Sequence, residues 1–337
     1  MRATIADIAR AAGVSTATVD RVLNDRSGVR ARTRDSVRAA AARLGYADPP
    51  APAAGPVSAL EVLLPGGTNS FMSVLAARLD EAAALRATEV ALTVRRIEGF
   101  VPEVLAAELQ AARGRAEGVA VIALDHPLVR EAIRELVAAG VPVLTLVSDI
   151  AQVPRCAYVG IDNRAAGRLA GHLLGRFMGK GRGQVAMFAG SLSYRGHEER
   201  EAGFRHALAE DFPELEIVEL REVRDDLQRS LQEARGLLAA YRGLGGIYNI
   251  GAGNRGIAAA LEESGRAREV VFIGHELTEH TRRFLLGGTM DAVIDQNPRE
   301  EAAAAVERLL AAVRGSQPAR LRPIRIEAIF RENIPEA

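Results

Sequence analysis

The chain has 337 residues, 48% of them hydrophobic, with 43 basic and 43 acidic side chains and a single cysteine, Cys156. That is enough apolar material for two or three packed domains, and one thiol excludes an internal disulfide and suits a reducing cytosol. No apolar run reaches the ~18 residues of a membrane span, and the N-terminus runs into a polar helix rather than a secretory signal, so a cytoplasmic location without membrane contact is expected.

The first elements are two short helices. Ile5, Ile8, Ala9 and Ala12 share one helical face, and Val19, Val22 and Leu23 share another. Between them Gly13 can take the left-handed conformation of a helix end, and Ser15 stands where its hydroxyl can cap the second helix. The outer side of that second helix carries Thr16, Ala17, Asp20 and Arg21, the surface a recognition helix lays in a DNA major groove. A third helix is expected over about Arg32–Leu44. Residues 1–47 hold nine Arg against four Asp, a net +5, whereas the rest of the formally neutral chain carries −5. A basic module of this kind suits a grip on phosphates.

The run Asp7-Ile8-Ala9-Arg10-Ala11-Ala12-Gly13-Val14-Ser15-Thr16-Ala17-Thr18-Val19-Asp20-Arg21-Val22-Leu23-Asn24, continued by Gly28-Val29-Arg30, Thr33-Arg34 and Leu44-Gly45-Tyr46, resembles the headpiece of the LacI/GalR family of transcription regulators. The resemblance implies that Thr16, Ala17 and Arg21 face base edges while Ser15, Thr18, Asn24, Arg30 and Thr33 touch the sugar-phosphate backbone. Arg21 can fork onto the two acceptors of a guanine, and Thr16 and Ala17 offer methyl contacts to thymine. Asp20 departs from the family's usual Ser. Its carboxylate repels phosphate, but it can accept from a cytosine amino group or pair with a nearby Arg.

Residues 48–57 follow as a linker with four prolines, Pro49, Pro50, Pro52 and Pro56. The family usually places a short hinge helix here, with a Leu wedged into the minor groove. Prolines resist that helix and no Leu occurs before Leu60, so an extended tether is the alternative.

From Ser58 onward short apolar runs alternate with Ala-rich amphipathic stretches. Strands are expected at Leu60–Leu64, Val90–Val94, Val119–Leu124, Val141–Leu146, Tyr158–Ile161, Val185–Ala189, Ile217–Glu219, Gly246–Ile250, Val270–Ile273, Ala292–Ile294 and Pro323–Phe330. Such alternation predicts parallel sheets covered by helices, and the strand number predicts two doubly wound lobes. In that architecture ligands sit at the carboxyl ends of strands. Those ends are polar: Gly66–Phe71, Asp125-His126, Ser148-Asp149, Asn249–Gly253, His275-Glu276 and Asp295-Gln296-Asn297. Convergent carboxylates and amides can each satisfy the donor and acceptor of a sugar hydroxyl.

This body resembles the ribose-type periplasmic sugar-binding fold that the LacI/GalR family also uses, on Tyr158–Asn163, Arg200–Phe204 and Asp291–Pro298. The implied fold class is therefore α/β: an all-α three-helix helix-turn-helix headpiece (1–47) and a two-lobed, periplasmic-binding-protein-like type I sensor (58–337). Lobe 1 is expected at about 58–160 plus 291–322, and lobe 2 at about 161–290 plus the tail. The implied ligand residues are Asn69, Phe71 as a stacking wall, Asp149, Arg195, Glu198, Arg200, Asn249, His275, Glu276 and Gln296. Asp149 and His275 differ in type from the ribose pattern, so no particular sugar follows. The implied partners are double-stranded operator DNA, a second copy of the chain, and a sugar, polyol or sugar phosphate effector.

Two motifs point elsewhere. Gly251-Ala252-Gly253-Asn254-Arg255-Gly256 satisfies the G-x-G-x-x-G dinucleotide pattern, but it lies deep in the second lobe instead of in the first strand–helix unit. His275-Glu276-Leu277-Thr278-Glu279-His280 places its histidines five apart, where a zinc helix needs four. Neither a cofactor, a metal nor an enzymatic activity is expected. The rival readings are a transport-type binding protein and a nucleotide-cofactor enzyme.

Overall fold

The computed structural model describes residues 4–23, 29–44, 46, 56–179, 181, 183–316 and 323–335. Asn24 and most of the proline-rich linker lie outside the described residues. The chain divides into two compact units, 1–57 and 58–337.

In the first unit α1 (Ile5–Ala12) opens on a reciprocal cap: Asp7 N–H donates to Thr4 Oγ1 and Thr4 N–H donates to Asp7 Oδ2. Gly13 closes it at φ +65°, a conformation that costs glycine nothing. Ser15 then starts α2 (Thr16–Leu23), its Oγ accepting from Thr18 N–H at 3.2 Å. α3 (Ala31–Arg43) begins with the carbonyl of Arg30 accepting from the amides of Thr33 and Arg34. Ile8, Ala9, Val19, Val22, Val37, Ala40 and Ala41 close a small core among the three helices. The expected faces are the ones buried, with Ile5, Ala12 and Leu23 at its edge.

The second unit is two parallel sheets flanked by helices. The first has the order β2 (Val90–Ile97), β1 (Ser58–Pro65), β3 (Gly118–Val121), β4 (Val143–Leu146), β5 (Ala157–Val159). α4 (Ser70–Ala84), α5 (Pro102–Ala112) and α6 (Pro127–Ala138) connect its strands. The second sheet runs β11 (Glu327–Ile329), β10 (Ala292–Asp295), β9 (Val271–His275), β8 (Leu244–Asn249), β6 (Gly183–Ala189), β7 (Leu215–Glu222). Only β11 among these pairs antiparallel, Val293 facing Ile329. Its helices are α7 (Asn163–Met178), α8 (Arg195–Asp211), α9 (Leu227–Ala240), α10 (Asn254–Glu263) and α11 (Glu279–Gly287). β3, β4 and β10 are buried along their whole length, as central parallel strands should be.

The expected lobe boundary needs one correction. β10 does not belong to lobe 1: it pairs with β9, Ala292 facing Ile273 and Ile294 facing His275. The chain returns to lobe 1 only after Gln296, where α12 (Pro298–Val313) packs on α4 and on β1, β3, β4 and β5. Backbone hydrogen bonding to β9 decides the membership of β10, and its apolar sequence alone carries no such information.

The close crossing of α7 and α8 positions the centre of the molecule. A Cβ on Gly167 would meet the Arg200 carbonyl oxygen at 1.9 Å, and one on Gly203 would meet the Arg164 carbonyl oxygen at 2.2 Å. Only glycines permit that approach, and it holds Arg200 against the inner ends of β8 and β10.

Candidate ligand cleft and nucleic-acid surface

On the first unit Thr16, Ala17 and Arg21 are exposed on one side of α2, and Asp20 beside them is half-buried. The Ser15 and Thr18 hydroxyls hydrogen-bond to each other at 2.9 Å, so both are also occupied by the cap. Arg30 is exposed and Thr33 half-buried at the start of α3. Ser15, Thr16 and Ala17 thus lie at the start of α2 and Arg30 and Thr33 at the start of α3, where the amide dipoles favour an anion, whereas Arg21 stands in the last turn of α2.

In the second unit the carboxyl ends of both sheets meet across a cleft. Lobe 1 supplies Asn69 and Phe71 from the start of α4 and Ser148 from the loop after β4. Lobe 2 supplies Tyr194, His197 and Arg200 around α8, Asp225 after β7, the loop 251–255, and His275 with Glu276 after β9. Gln296, at the crossing back to lobe 1, completes it.

Arg200 is the hub. It is 4% exposed, and its guanidinium donates to Asn163 Oδ1 at 2.7 Å, to the Ile250 carbonyl at 3.0 Å and to Gln296 Oε1 at 3.2 Å. Gln296 in turn donates through Nε2 to Glu276 Oε1, while Glu276 Oε2 has no partner. Glu276 sits at φ +71°, a left-handed position unusual for a side chain with a Cβ, and its amide donates to the Ile294 carbonyl. Burial pushes its carboxyl well above the usual carboxylate range, reinforced by Asp295 nearby. His275 is 1% exposed; its Nε2 and the Tyr248 hydroxyl lie 2.8 Å apart, and its Nδ1 is unpartnered. Burial, with Arg200 as a second cause, holds both His275 and His197 below the usual imidazole range, His197 down to about 3. Both rings are neutral at physiological pH. Unpaired polar atoms in a buried site cost free energy until something bonds to them, and a cleft of this composition offers both donors and acceptors.

The two lobes touch directly across the cleft. Thr68 Oγ1 donates to the Asp225 carbonyl at 2.8 Å and Asn69 Nδ2 donates to Asp225 Oδ2 at 2.9 Å. Gly196 N–H donates to Ser148 Oγ at 3.0 Å, and Asp125 N–H to the Ser193 carbonyl at 2.8 Å.

Of the residues singled out from the sequence, Asn69, Phe71, Arg200, His275, Glu276 and Gln296 line the cleft, and four others do not. Asp149 is turned into lobe 1, bonded by Thr145 Oγ1 at 2.7 Å and paired with Arg155 at 2.5 Å. Arg195 pairs with Glu199 one helical turn on, and Glu198 is exposed on the outer face of α8. Asn249 is fully buried behind the 251–255 loop, its amide donating to Gly251 O and Asn254 Oδ1, so it shapes the wall without forming it. Asn163, Tyr194, His197 and Asp225 are additions. Asn163 is the first residue of α7, whose cap is Asp162, accepting from Ala165 N–H at 2.9 Å. Asp225 was hidden because β7 runs to Glu222, three residues past its expected end, which places Asp225 at a strand terminus.

The glycines of the 251–256 pattern have packing causes. A Cβ on Gly256 would meet Leu231 N at 2.6 Å and Leu227 O at 2.7 Å, so the glycine lets α10 lie on α9. Among the described residues no group of three His, Cys, Asp or Glu could hold a metal ion, and no helix is long and apolar enough to cross a membrane.

Two parallel-sheet lobes closing on a polar cleft define a bilobal binding domain, here carried behind a helix-turn-helix unit. The family described as periplasmic binding protein domain matches residues 60–317, and bacterial regulatory proteins of the lacI family match residues 4–48. The chain belongs to the periplasmic binding protein domain family through its body, and its first unit matches the lacI family of bacterial regulatory proteins. It is similar to the HTH-type transcriptional regulator MalR of Streptomyces coelicolor, 33% identical over 50% of this chain and 49% of that protein. It also resembles the sucrose operon repressor of Vibrio alginolyticus, 52% identical over 13% of this chain and 47% of that sequence. The matches thus span about half the length of these curated relatives or less. Among solved structures, the glucose-galactose binding protein GanP of Geobacillus stearothermophilus superposes with a TM-score of 0.75 at 24% identity, over 83% of this chain and 99% of that one. At that identity the likeness is one of fold.

Proposed function

We propose that the chain is a cytoplasmic transcription repressor that binds a pseudo-palindromic operator as a homodimer and releases or tightens on it according to a sugar-class ligand in the cleft. The observation that carries this reading is the pairing, in one chain, of an exposed recognition helix with a bilobal cleft whose buried floor keeps Glu276 Oε2 and His275 Nδ1 without partners. A ligand bridging lobe 1 and lobe 2 favours one lobe arrangement, and only that difference in affinity can move the DNA equilibrium. Thr16, Ala17 and Arg21 would read bases, with Ser15, Thr18, Asn24, Arg30 and Thr33 on the backbone. A two-fold operator needs two headpieces, hence the dimer.

The test combines operator selection from a random DNA pool with a thermal-shift screen of sugars, polyols and sugar phosphates. Each ligand that raises the melting temperature should change operator affinity, and Gln296→Ala should abolish that change while operator affinity itself stays as in the wild type. A Gln296→Ala protein that still responds at wild-type ligand concentrations would remove the cleft from the mechanism.

A further inference from the structure

Resting on that sensor reading, we infer that the effector is a polyhydroxylated molecule carrying one anionic group, a carboxylate or a phosphoryl, seated at the cleft mouth between Arg255 and His280. Both side chains line the cleft, Arg255 in the first turn of α10 and His280 in the first turn of α11. α10 starts on Gly253 at φ +126°, and no side chain caps it. Asn254 and Arg255, the first two residues of α10, line the cleft, so this uncapped helix start opens on it. Arg255 is exposed and makes no ion pair among the described residues, so its charge is available.

The two carboxyl groups that line the cleft are already hydrogen-bonded within its walls. Asp225 is engaged by Asn69 Nδ2 and by the Ala252 amide at 3.0 Å, and its backbone carbonyl by Thr68. Glu276 is committed through Oε1 to Gln296, and burial favours its neutral form. Arg200, at the floor, meets three neutral acceptors and no carboxylate. That guanidinium places positive charge at the cleft floor, where Asp225, Glu276 and Glu301 also feel it. His275 Nδ1 and Glu276 Oε2, both more than nine-tenths buried on the same cleft wall, still lack partners. They suit hydroxyls, which donate and accept, while the outer turn suits a charge. The order along the cleft is thus hydroxyl recognition inside and anion recognition at the mouth.

The experiment is calorimetric titration of the full chain with matched triplets: an aldose, the corresponding onic acid and the corresponding sugar phosphate, across common pentoses and hexoses. In at least one triplet a charged member should bind about tenfold tighter than its neutral parent, the scale of one charge-assisted hydrogen bond at a helix start. Raising ionic strength from ~0.05 to ~0.5 M should narrow that gap. Arg255→Gln should collapse it and Arg255→Lys should retain most of it; the exposed position keeps both variants foldable. Preference for the onic acid assigns a carboxylate ligand, and preference for the phosphate assigns a phosphorylated one. Neutral parents binding as tightly as their charged partners, with Arg255→Gln indistinguishable from wild type, overturn the anion seat and leave the sensor reading standing. If no member of any triplet binds, both fall.

Discussion

At the scale of single residues, Arg21 and Arg30 separate two kinds of contact. Arg21 projects from the exposed side of α2, whereas Arg30 precedes α3. Arg21→Ala should therefore lower affinity for operator more than for random DNA, by about 1–3 kcal/mol of discrimination. Arg30→Ala should weaken both alike and reduce the salt slope by about one. Titrations on both DNAs at several salt concentrations check this, and equal losses for Arg21→Ala would end its base-reading role. Glu301 offers a second residue-scale outcome. It is fully buried with neither carboxyl oxygen bonded, and burial, then Glu276, push its carboxyl well up. A carboxyl whose folded pKa exceeds its unfolded value stabilises the fold below the unfolded pKa and ceases to do so as pH rises toward the folded one. Urea unfolding of the wild type should accordingly lose stability above about pH 5 in a component that Glu301→Gln removes. The neutral histidines His197 and His275 act in the opposite sense, costing stability as pH falls below about 6.5, where the unfolded imidazoles protonate. An unchanged pH slope in Glu301→Gln would mean that its carboxyl does not titrate in this window.

At the scale of elements, the α7–α8 contact is the most demanding in the body. Gly167→Ala would press a methyl into the Arg200 carbonyl, and overpacking against backbone costs about 1–3 kcal/mol or more. Urea unfolding should show that loss, and ligand affinity should fall as well, because the helix that shifts carries Arg200; unchanged unfolding would contradict the close crossing. Elements were the most legible level of the sequence. Alternating apolar and Ala-rich stretches located the strands of both sheets to within a few residues, and the helix-turn-helix followed from apolar spacing, Gly13 and Ser15. Cleft residues were partly legible because a strand's carboxyl end is a place that can be read from sequence, which found Asn69, His275, Glu276 and Gln296. The misses came where side-chain direction decides. Asp149 stands at a strand end yet turns to Thr145 and Arg155, and Asn163 opens a helix yet reaches Arg200 and Tyr158. Sheet membership of β10 is likewise a property of its neighbour β9, not of its own residues.

At the scale of the whole molecule, the proposed coupling has a strict consequence. If ligand lowers operator affinity by some factor, operator must lower ligand affinity by the same factor, since both are paths round one thermodynamic cycle. Operator binding measured with and without saturating ligand, and ligand binding measured with and without saturating operator, should agree within error. Couplings in this range are typically about 1–3 kcal/mol, so factors of about 5–150 are the target. Unequal factors would indicate that one titration also changes the oligomeric state.

The route of the chain between the lobes bears on how they can move. It passes from lobe 1 to lobe 2 after β5, back between β10 and α12, and across again between α12 and β11. One covalent strand would leave two bodies free to twist, slide and tumble. More than one crossing removes some of those freedoms. A small molecule held at Gln296, beside the crossing from β10 to α12, would act close to such a pivot, so small displacements there become larger ones at the far rim of each lobe.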